Sequence, residues 1–235
     1  METKKTALIL YIICSILVVF AAIIGNDELF FVTKPIIIPA IFFYYLSINQ
    51  ENKVSTVIAL ILVLYFIGNS IGLLELKDSV EMVMIPYFSA YLLLIWFGID
   101  DFRKLKFNKM ALFLASLFLV LMFMITYSII NVFKNHHPGL VIPVVFYAAF
   151  LSSYGAIALY SYQFLRNRIF YYLLIFVMIR ISSDVFYMIY QMVSPIVYFN
   201  YFQLSMEFLS YFFMVKYFVA KTDIEIGSKL NLTEI

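Results

Sequence analysis

A chain of 235 residues that is 65% hydrophobic, 20% aromatic and only 13% charged cannot be an ordinary soluble domain, in which about a quarter of the residues are charged; its composition is that of a membrane protein. Sixteen Lys and Arg against 14 Asp and Glu leave a net charge of +2, too little to neutralise a run of phosphates, so nucleic acid is excluded as a partner. One cysteine, Cys14, rules out an internal disulfide and a thiolate metal site, and the scarcity of His and clustered acids leaves no expected metal or other cofactor.

Spanning helices need roughly 20 mostly apolar residues. Cutting the sequence wherever charges, Asn, Gly or Pro interrupt such runs predicts an all-α, polytopic bundle of eight transmembrane helices: Thr6–Ile24, Leu29–Ile48, Val54–Leu74, Val80–Gly98, Met110–Phe133, Leu140–Leu165, Ile169–Val193 and Phe199–Ala220. They form one domain, residues 1–220, with a short tail over 221–235. The first run follows Lys4 and Lys5 but is longer than a signal-peptide core and shows no A-x-A site, so it reads as an uncleaved span.

In the second span Lys34 precedes Pro35 and Pro39, which remove backbone donors and predict a bent, locally open helix. The third carries Tyr65 and Asn69, and its Gly68-x-x-x-Gly72 spacing allows another backbone to approach. Between the fifth and sixth spans, His136 and His137 stand before Pro138-Gly139 without acidic or Cys companions, which makes a metal site improbable. Tyr160, Tyr162, Tyr171 and Tyr172, near the ends of the sixth and seventh, read as an interfacial aromatic belt. In the seventh span Arg180, Asp184, Tyr187 and Gln191 fall at i, i+4, i+7 and i+11, one polar stripe with Ser183 beside it. Asn200, Gln203, Glu207 and Ser210 repeat the pattern in the eighth, where Lys216 is placed to anchor at the headgroups.

Lys and Arg of short loops stay on the cytoplasmic side. Alternate loops separate accordingly: Lys4, Lys5, Lys53, Arg103, Lys104, Lys106, Lys109, Arg166, Arg168, Lys221 and Lys229 fall on one side, Lys77 and Lys134 on the other. Both termini are therefore expected in the cytoplasm, and the lack of targeting segments suits a bacterial inner membrane. Counting helix rise from each entry point places Lys34, Asn69, Asp184 and Glu207 in the non-cytoplasmic half. Ionisable groups at membrane depth are costly and count as functional candidates. A polar stripe in lipid must face protein or water, so the second, third, seventh and eighth spans are expected to share one polar pocket. Taken singly, the Arg180/Asp184 pair reads equally well as a structural ion pair, and Asn69 as interhelical glue. Glu207 has no cation four residues away in its own helix and is expected to be met by Lys34 from across the bundle, or else to be left without a partner.

These residues resemble the motifs of the YhhN family of eight-span membrane proteins, which includes the lysoplasmalogenases. Thr33-Lys34-Pro35 is similar to its Lys-Pro signature, Ile181-Ser182-Ser183-Asp184 to its Ser-Asp motif, and Gly68-Asn69 to its Gly-Asp motif. Ser205-Met206-Glu207 falls where the family has a small residue and a Gln. The resemblance implies hydrolysis of the vinyl-ether bond of lysoplasmalogen or a related lysolipid, releasing a fatty aldehyde and a glycerophospho-alcohol. Such a reaction assigns proton donation to Asp184, cation stabilisation to Glu207 and water positioning to Asn69. Phosphate contact falls to Lys34 or Arg180, with Tyr187 and Gln203 as further substrate-binding residues on the same stripes. The partners implied are a lysolipid or other amphiphile and the membrane lipids. Two departures stand out: Asn69 replaces a family acid, and Tyr91 stands where many members carry a His in the fourth helix. They favour the alternative of a non-catalytic lipid-binding or sensory protein. A faint likeness between Gly68-Asn69 and Ser183-Asp184 leaves proton-coupled transport as a third reading.

Overall fold

The computed structural model describes residues 2–49, 55–74, 79–103, 105, 107–135 and 137–233. They are helical almost throughout, with no strand among them. In chain order the helices are α1 (Glu2–Ile24), α2 (Asp27–Thr33), α3 (Ile37–Ile48), α4 (Thr56–Leu73), α5 (Ser79–Arg103), α6 (Lys109–Phe133), α7 (Val141–Leu165), α8 (Arg168–Met188) and α9 (Val197–Thr233). A 3-10 turn, Lys34–Ile36, joins α2 to α3 into a single rod, so the described residues form eight rods, as the hydropathy predicts. Seven are long and apolar enough to cross a membrane. The eighth, α9, is long but carries Asn200, Gln203, Glu207 and Ser210 in its first half.

Local chemistry sets the breaks. Gly25 takes a left-handed φ of 66°, which lets α1 end at Ile24, just ahead of Asn26, whose side chain accepts the Leu29 N–H at 2.9 Å and caps α2. Asn108 and Asn167 cap α6 and α8 in the same way. Pro35 sits inside the 3-10 turn, where the continuous α-helical ladder gives way, as the Lys-Pro spacing predicts. At its far end α8 widens into a π-helical turn, Ile189–Val193, closed by an i to i+5 bond from Ser194 N–H to the Ile189 carbonyl. This turn lies within the predicted seventh span but is not visible in its apolar pattern.

The eight rods alternate in direction, which places the start of α1 and the end of α9 at the same end of the bundle. α8 packs most closely on α9, while α4 pairs with α5, α6 with α7 and α1 with α3. Apolar side chains such as Ile16, Trp96 and Phe123 are exposed on the outside, where lipid rather than water would meet them. The inside is rich in tyrosine: Tyr44, Tyr45, Tyr65, Tyr91, Tyr154, Tyr211 and Tyr217 are fully buried. Tyr162, Tyr171 and Tyr172 do cluster at one end of the bundle, but an interfacial belt accounts for only part of the tyrosine content.

The last rod does not stop at Ala220. It runs on as helix to Thr233, and Lys221, at the start of the expected short tail, is buried, with its ammonium donating to the Phe97 carbonyl and lying 4.2 Å over the Phe97 ring. Lys216 lies across the rings of Phe212 and Tyr44 at 5.3 and 5.8 Å. Lys53, Lys77, Lys104 and Lys106 of the charge pattern, together with His136 and Val54, fall outside the described residues.

Candidate functional site

A cavity of about 590 Å³ opens into the bundle. Its lining comes from the end of α1, from α2, from the last turns of α4, α6 and α8, and from the first turns of α5, α7 and α9. All of these lie at the end remote from both termini. Every candidate residue from the sequence lines this one space: Lys34, Asn69, Arg180, Asp184, Tyr187, Gln203 and Glu207. Gln191 and Asn200 of the two polar stripes do too. Ser210 does not; it is buried behind the wall and donates to the Glu207 carbonyl at 2.6 Å.

Arg180 is the centre of the arrangement. It is 2% exposed, and a guanidinium keeps its charge at any depth, so the surrounding side chains must balance it. Its Nη2 meets Asp184 Oδ1 at 2.9 Å, one helical turn away. Nη1 lies 3.6 Å from Glu207 Oε1, within ion-pair range but too long for a hydrogen bond, and has no hydrogen-bond partner among the described residues. Nε donates to the Tyr91 hydroxyl at 2.9 Å. The rings of Tyr87, Tyr65 and Tyr211 surround the guanidinium at 4.6, 5.5 and 6.0 Å, a cation–π cage.

Each carboxylate has its own hydroxyl donors. Asp184 Oδ2 accepts from Tyr147 at 2.7 Å and from Tyr91 at 3.0 Å. Glu207 Oε1 accepts from Tyr211 at 2.6 Å and Oε2 from the Gln203 amide at 2.8 Å. The Tyr87 hydroxyl lies between two acceptors, Asn69 Oδ1 at 2.9 Å and Glu207 Oε1 at 3.3 Å, and the Asn69 amide donates to Tyr211 at 3.0 Å. Asn69 is therefore tied into the Glu207 side of the network through both ends of its side chain. Ser183 donates to the Gln203 carbonyl at 3.0 Å and fixes the register of α8 against α9.

Three expectations are corrected by this geometry. Glu207 is met by Arg180, while Lys34 makes no ion pair among the described residues and holds its ammonium 5.0 Å over the Phe30 ring at the cavity wall. The pocket is not confined to the second, third, seventh and eighth spans, since α5, α6 and α7 also contribute walls. Gly68 admits a ring rather than a backbone: a Cβ there would lie 3.0 Å from the Tyr87 ring.

The sequence reading misses Tyr87, Tyr147 and Tyr211 altogether. Tyr87 and Tyr91 stand one turn apart next to Pro86 in mid-helix, and Glu207 and Tyr211 have the same i, i+4 relation. No composition or spacing signal separates these three from interfacial tyrosines, because Tyr87 and Tyr147 lie within the first turns of α5 and α7.

Comparison with known proteins gives no family. No family model, curated protein or solved structure matches this chain. The chemistry must therefore be read from the side chains themselves. Two acids and one fixed cation at the wall of a cavity, with hydroxyl donors on each acid, can move protons, hold a water and stabilise a developing positive charge. Among the described residues no three His, Cys, Asp or Glu side chains group closely enough to hold a metal ion.

Proposed function

We propose that this chain is a membrane hydrolase that cleaves the vinyl-ether bond of a lysoplasmalogen or a related ether lysolipid. One observation carries the reading: carboxylates from two helices, Asp184 and Glu207, converge on the Arg180 guanidinium at the wall of a cavity large enough for an amphiphile. The likeness of Lys34-Pro35, Gly68-Asn69 and Ser183-Asp184 to YhhN motifs supports the same assignment.

An enol ether is cleaved by adding a proton to its outer vinyl carbon, which leaves an oxocarbenium ion at the inner one. Water adds there, and the resulting hemiacetal collapses to a fatty aldehyde and the free glycerophospho-alcohol. Asp184, whose side chain is 14% exposed against 3% for Glu207, is the carboxyl that delivers the proton. Glu207 balances the cation and orients the water, with Asn69 holding the surrounding hydroxyls in place. Lys34, at the cavity wall with no ion-pair partner among the described residues, takes the phosphate as a charge-assisted donor, and Tyr187 and Gln203 line its approach. In this reading the bundle sits in a bacterial inner membrane with both termini in the cytoplasm and the cavity facing the other side, an orientation that the distribution of Lys and Arg supports.

A second reading, a lipid-binding protein without turnover, is favoured by Asn69, which occupies the place of a family acid and has both ends of its amide engaged. Purified protein incubated with lysoplasmalogen, with long-chain aldehyde quantified by mass spectrometry, separates the two. Aldehyde formation that disappears in Asp184→Asn and falls steeply in Glu207→Gln is the expected result. No aldehyde above a denatured control, with the lysolipid still bound, leaves the binding protein and ends the hydrolase.

A further inference from the structure

The cavity has two unlike walls. On one side the turn after α2, α4 and α9 bring Lys34, Asn69, Asn200, Gln203 and Glu207, with Phe30, Phe31 and Leu73 beside them; on the other α6 and α7 bring Met122, Ile125, Ile129, Val144 and Leu151, with Thr126 and Tyr147 as their polar members. The Arg180/Asp184 pair lies where they meet. An amphiphile is the ligand whose own two halves match such a division.

The apolar wall is a seam between two helices. Met122, Ile125, Thr126 and Ile129 follow i, i+3, i+4, i+7 spacing and turn one stripe of α6 to the cavity, while Val120, Phe123 and Met124 of the same helix are exposed outward. α6 leans on α7 along its length and meets the α8 rod at the π-helical turn, so the cavity occupies the gap between α6 and the α-helical part of α8. Beyond the deepest lining residues, Met122, Leu151 and Ile181, the helices pack shut. Gly155 has no side chain, and the Phe118 ring fills that space: a Cβ at 155 would lie 2.7 Å from Phe118 and 3.1 Å from Ile181. Counted from the α6 and α7 ends at the mouth, this floor lies about 20 Å deep. A lipid tail runs the same way, from an interfacial head towards the middle of a hydrocarbon core about 30 Å thick.

We propose that the seam between α6 and α8 is a subsite for a single aliphatic chain, with the ligand's head turned to the Lys34 wall and its methyl end towards the Phe118 floor. This rests on the reading above only in taking the ligand to be an amphiphile, not in its being hydrolysed. A second apolar groove, between Ile16 and Phe20 of α1 and Phe208, Leu209 and Phe212 of α9, is the rival location. Its few hydroxyls are all engaged within the protein, Ser15 and Ser205 donating to the Tyr11 and Tyr201 carbonyls and Tyr11 to the Phe208 carbonyl.

The test is photolabelling of the full-length protein in lipid nanodiscs with a 1-alkyl lysophosphatidylethanolamine that carries a diazirine near the chain's methyl end, followed by peptide mapping. Adducts within 118–129 and 181–188 that excess unlabelled lysolipid displaces are expected. Ile125→Trp, which narrows the seam at a residue already 39% exposed, should lower that labelling by roughly tenfold or more. Displaceable adducts in the α1/α9 groove, or labelling that excess lysolipid does not displace, overturn the proposal. The two readings fail separately: seam labelling without aldehyde release ends hydrolysis alone, and aldehyde release without seam labelling ends the chain subsite alone.

Discussion

Removing the charge of Arg180 is the sharpest test of the geometry at the cavity wall. Arg180→Met keeps most of the side-chain volume but leaves Asp184 and Glu207, which it now holds at 2.9 and 3.6 Å, as two buried carboxylates facing each other with no cation between. Breaking a buried ion pair by deleting one partner costs about 3–5 kcal/mol, because the survivor stays desolvated and uncompensated. Loss of the tyrosine cage adds about 0.5–2 kcal/mol. If this is the mechanism, removing the stranded charges as well should recover most of the loss. The triple variant Arg180→Met, Asp184→Asn, Glu207→Gln should return to within about 1–2 kcal/mol of the parent, since neutral replacements of buried ion pairs are often tolerated. Reversible unfolding in mixed micelles, followed by circular dichroism, measures all three proteins. A triple variant no more stable than Arg180→Met would refute the reasoning, for the loss would then come from packing and not from uncompensated charge.

Four further outcomes follow from the same network. Tyr147→Phe removes the shorter of the two phenol bonds to Asp184 and should cost about 1.5–3 kcal/mol by the same unfolding measurement, as hydrogen bonds to charged groups do. Asn69→Asp replaces a donor to Tyr211 with a second acceptor beside Glu207, and one phenol proton cannot serve both; a loss of about 1–3 kcal/mol is expected. Ser183→Ala leaves the Gln203 carbonyl without this donor and should loosen α8 from α9, read as faster amide exchange in both helices and a loss of about 1 kcal/mol. A cysteine placed at Asn135, in the exposed loop after α6, should react with a membrane-impermeant maleimide in intact cells, and an activity reporter fused after Ile235 should register the cytoplasm.

Much of this was legible in the sequence because lipid imposes simple rules. Apolar runs of fixed length become helices since no other backbone can be satisfied in hydrocarbon, and the stripe from Arg180 to Gln191 must turn inward for the same reason. The convergence of Lys34, Asn69, Asp184 and Glu207 follows from those rules together with short loops. The phenols do not. Tyrosine is at home at an interface and in a core alike, so Tyr87, Tyr147 and Tyr211 give no sign of which they occupy until neighbouring helices are placed. Pairing across helices is equally hidden: Glu207 could be matched to Lys34 or to Arg180 by charge, and only the packing of α8 on α9 selects Arg180. The continuation of α9 past Ala220 was obscured because Lys221 looks like a loop residue, yet its long stem lets the ammonium reach the Phe97 carbonyl from inside the bundle.

The widened turn at Ile189–Val193 has a consequence for how this chain tolerates change in length. In a regular helix each added residue swings everything beyond it by about 100°; a π turn absorbs one such residue locally and restores the phase. Deleting a single residue there would straighten α8 without rotating Arg180, Asp184 or Tyr187, which lie upstream; it would shift Tyr190 and Gln191 at the cavity edge and draw on the short link to α9. The same deletion one turn earlier would revolve part of the cavity wall outward into lipid. Within the α8 rod a change of one residue should therefore be tolerated best in this five-residue stretch, a slack segment that insulates Arg180 and Asp184 from variation in the loop.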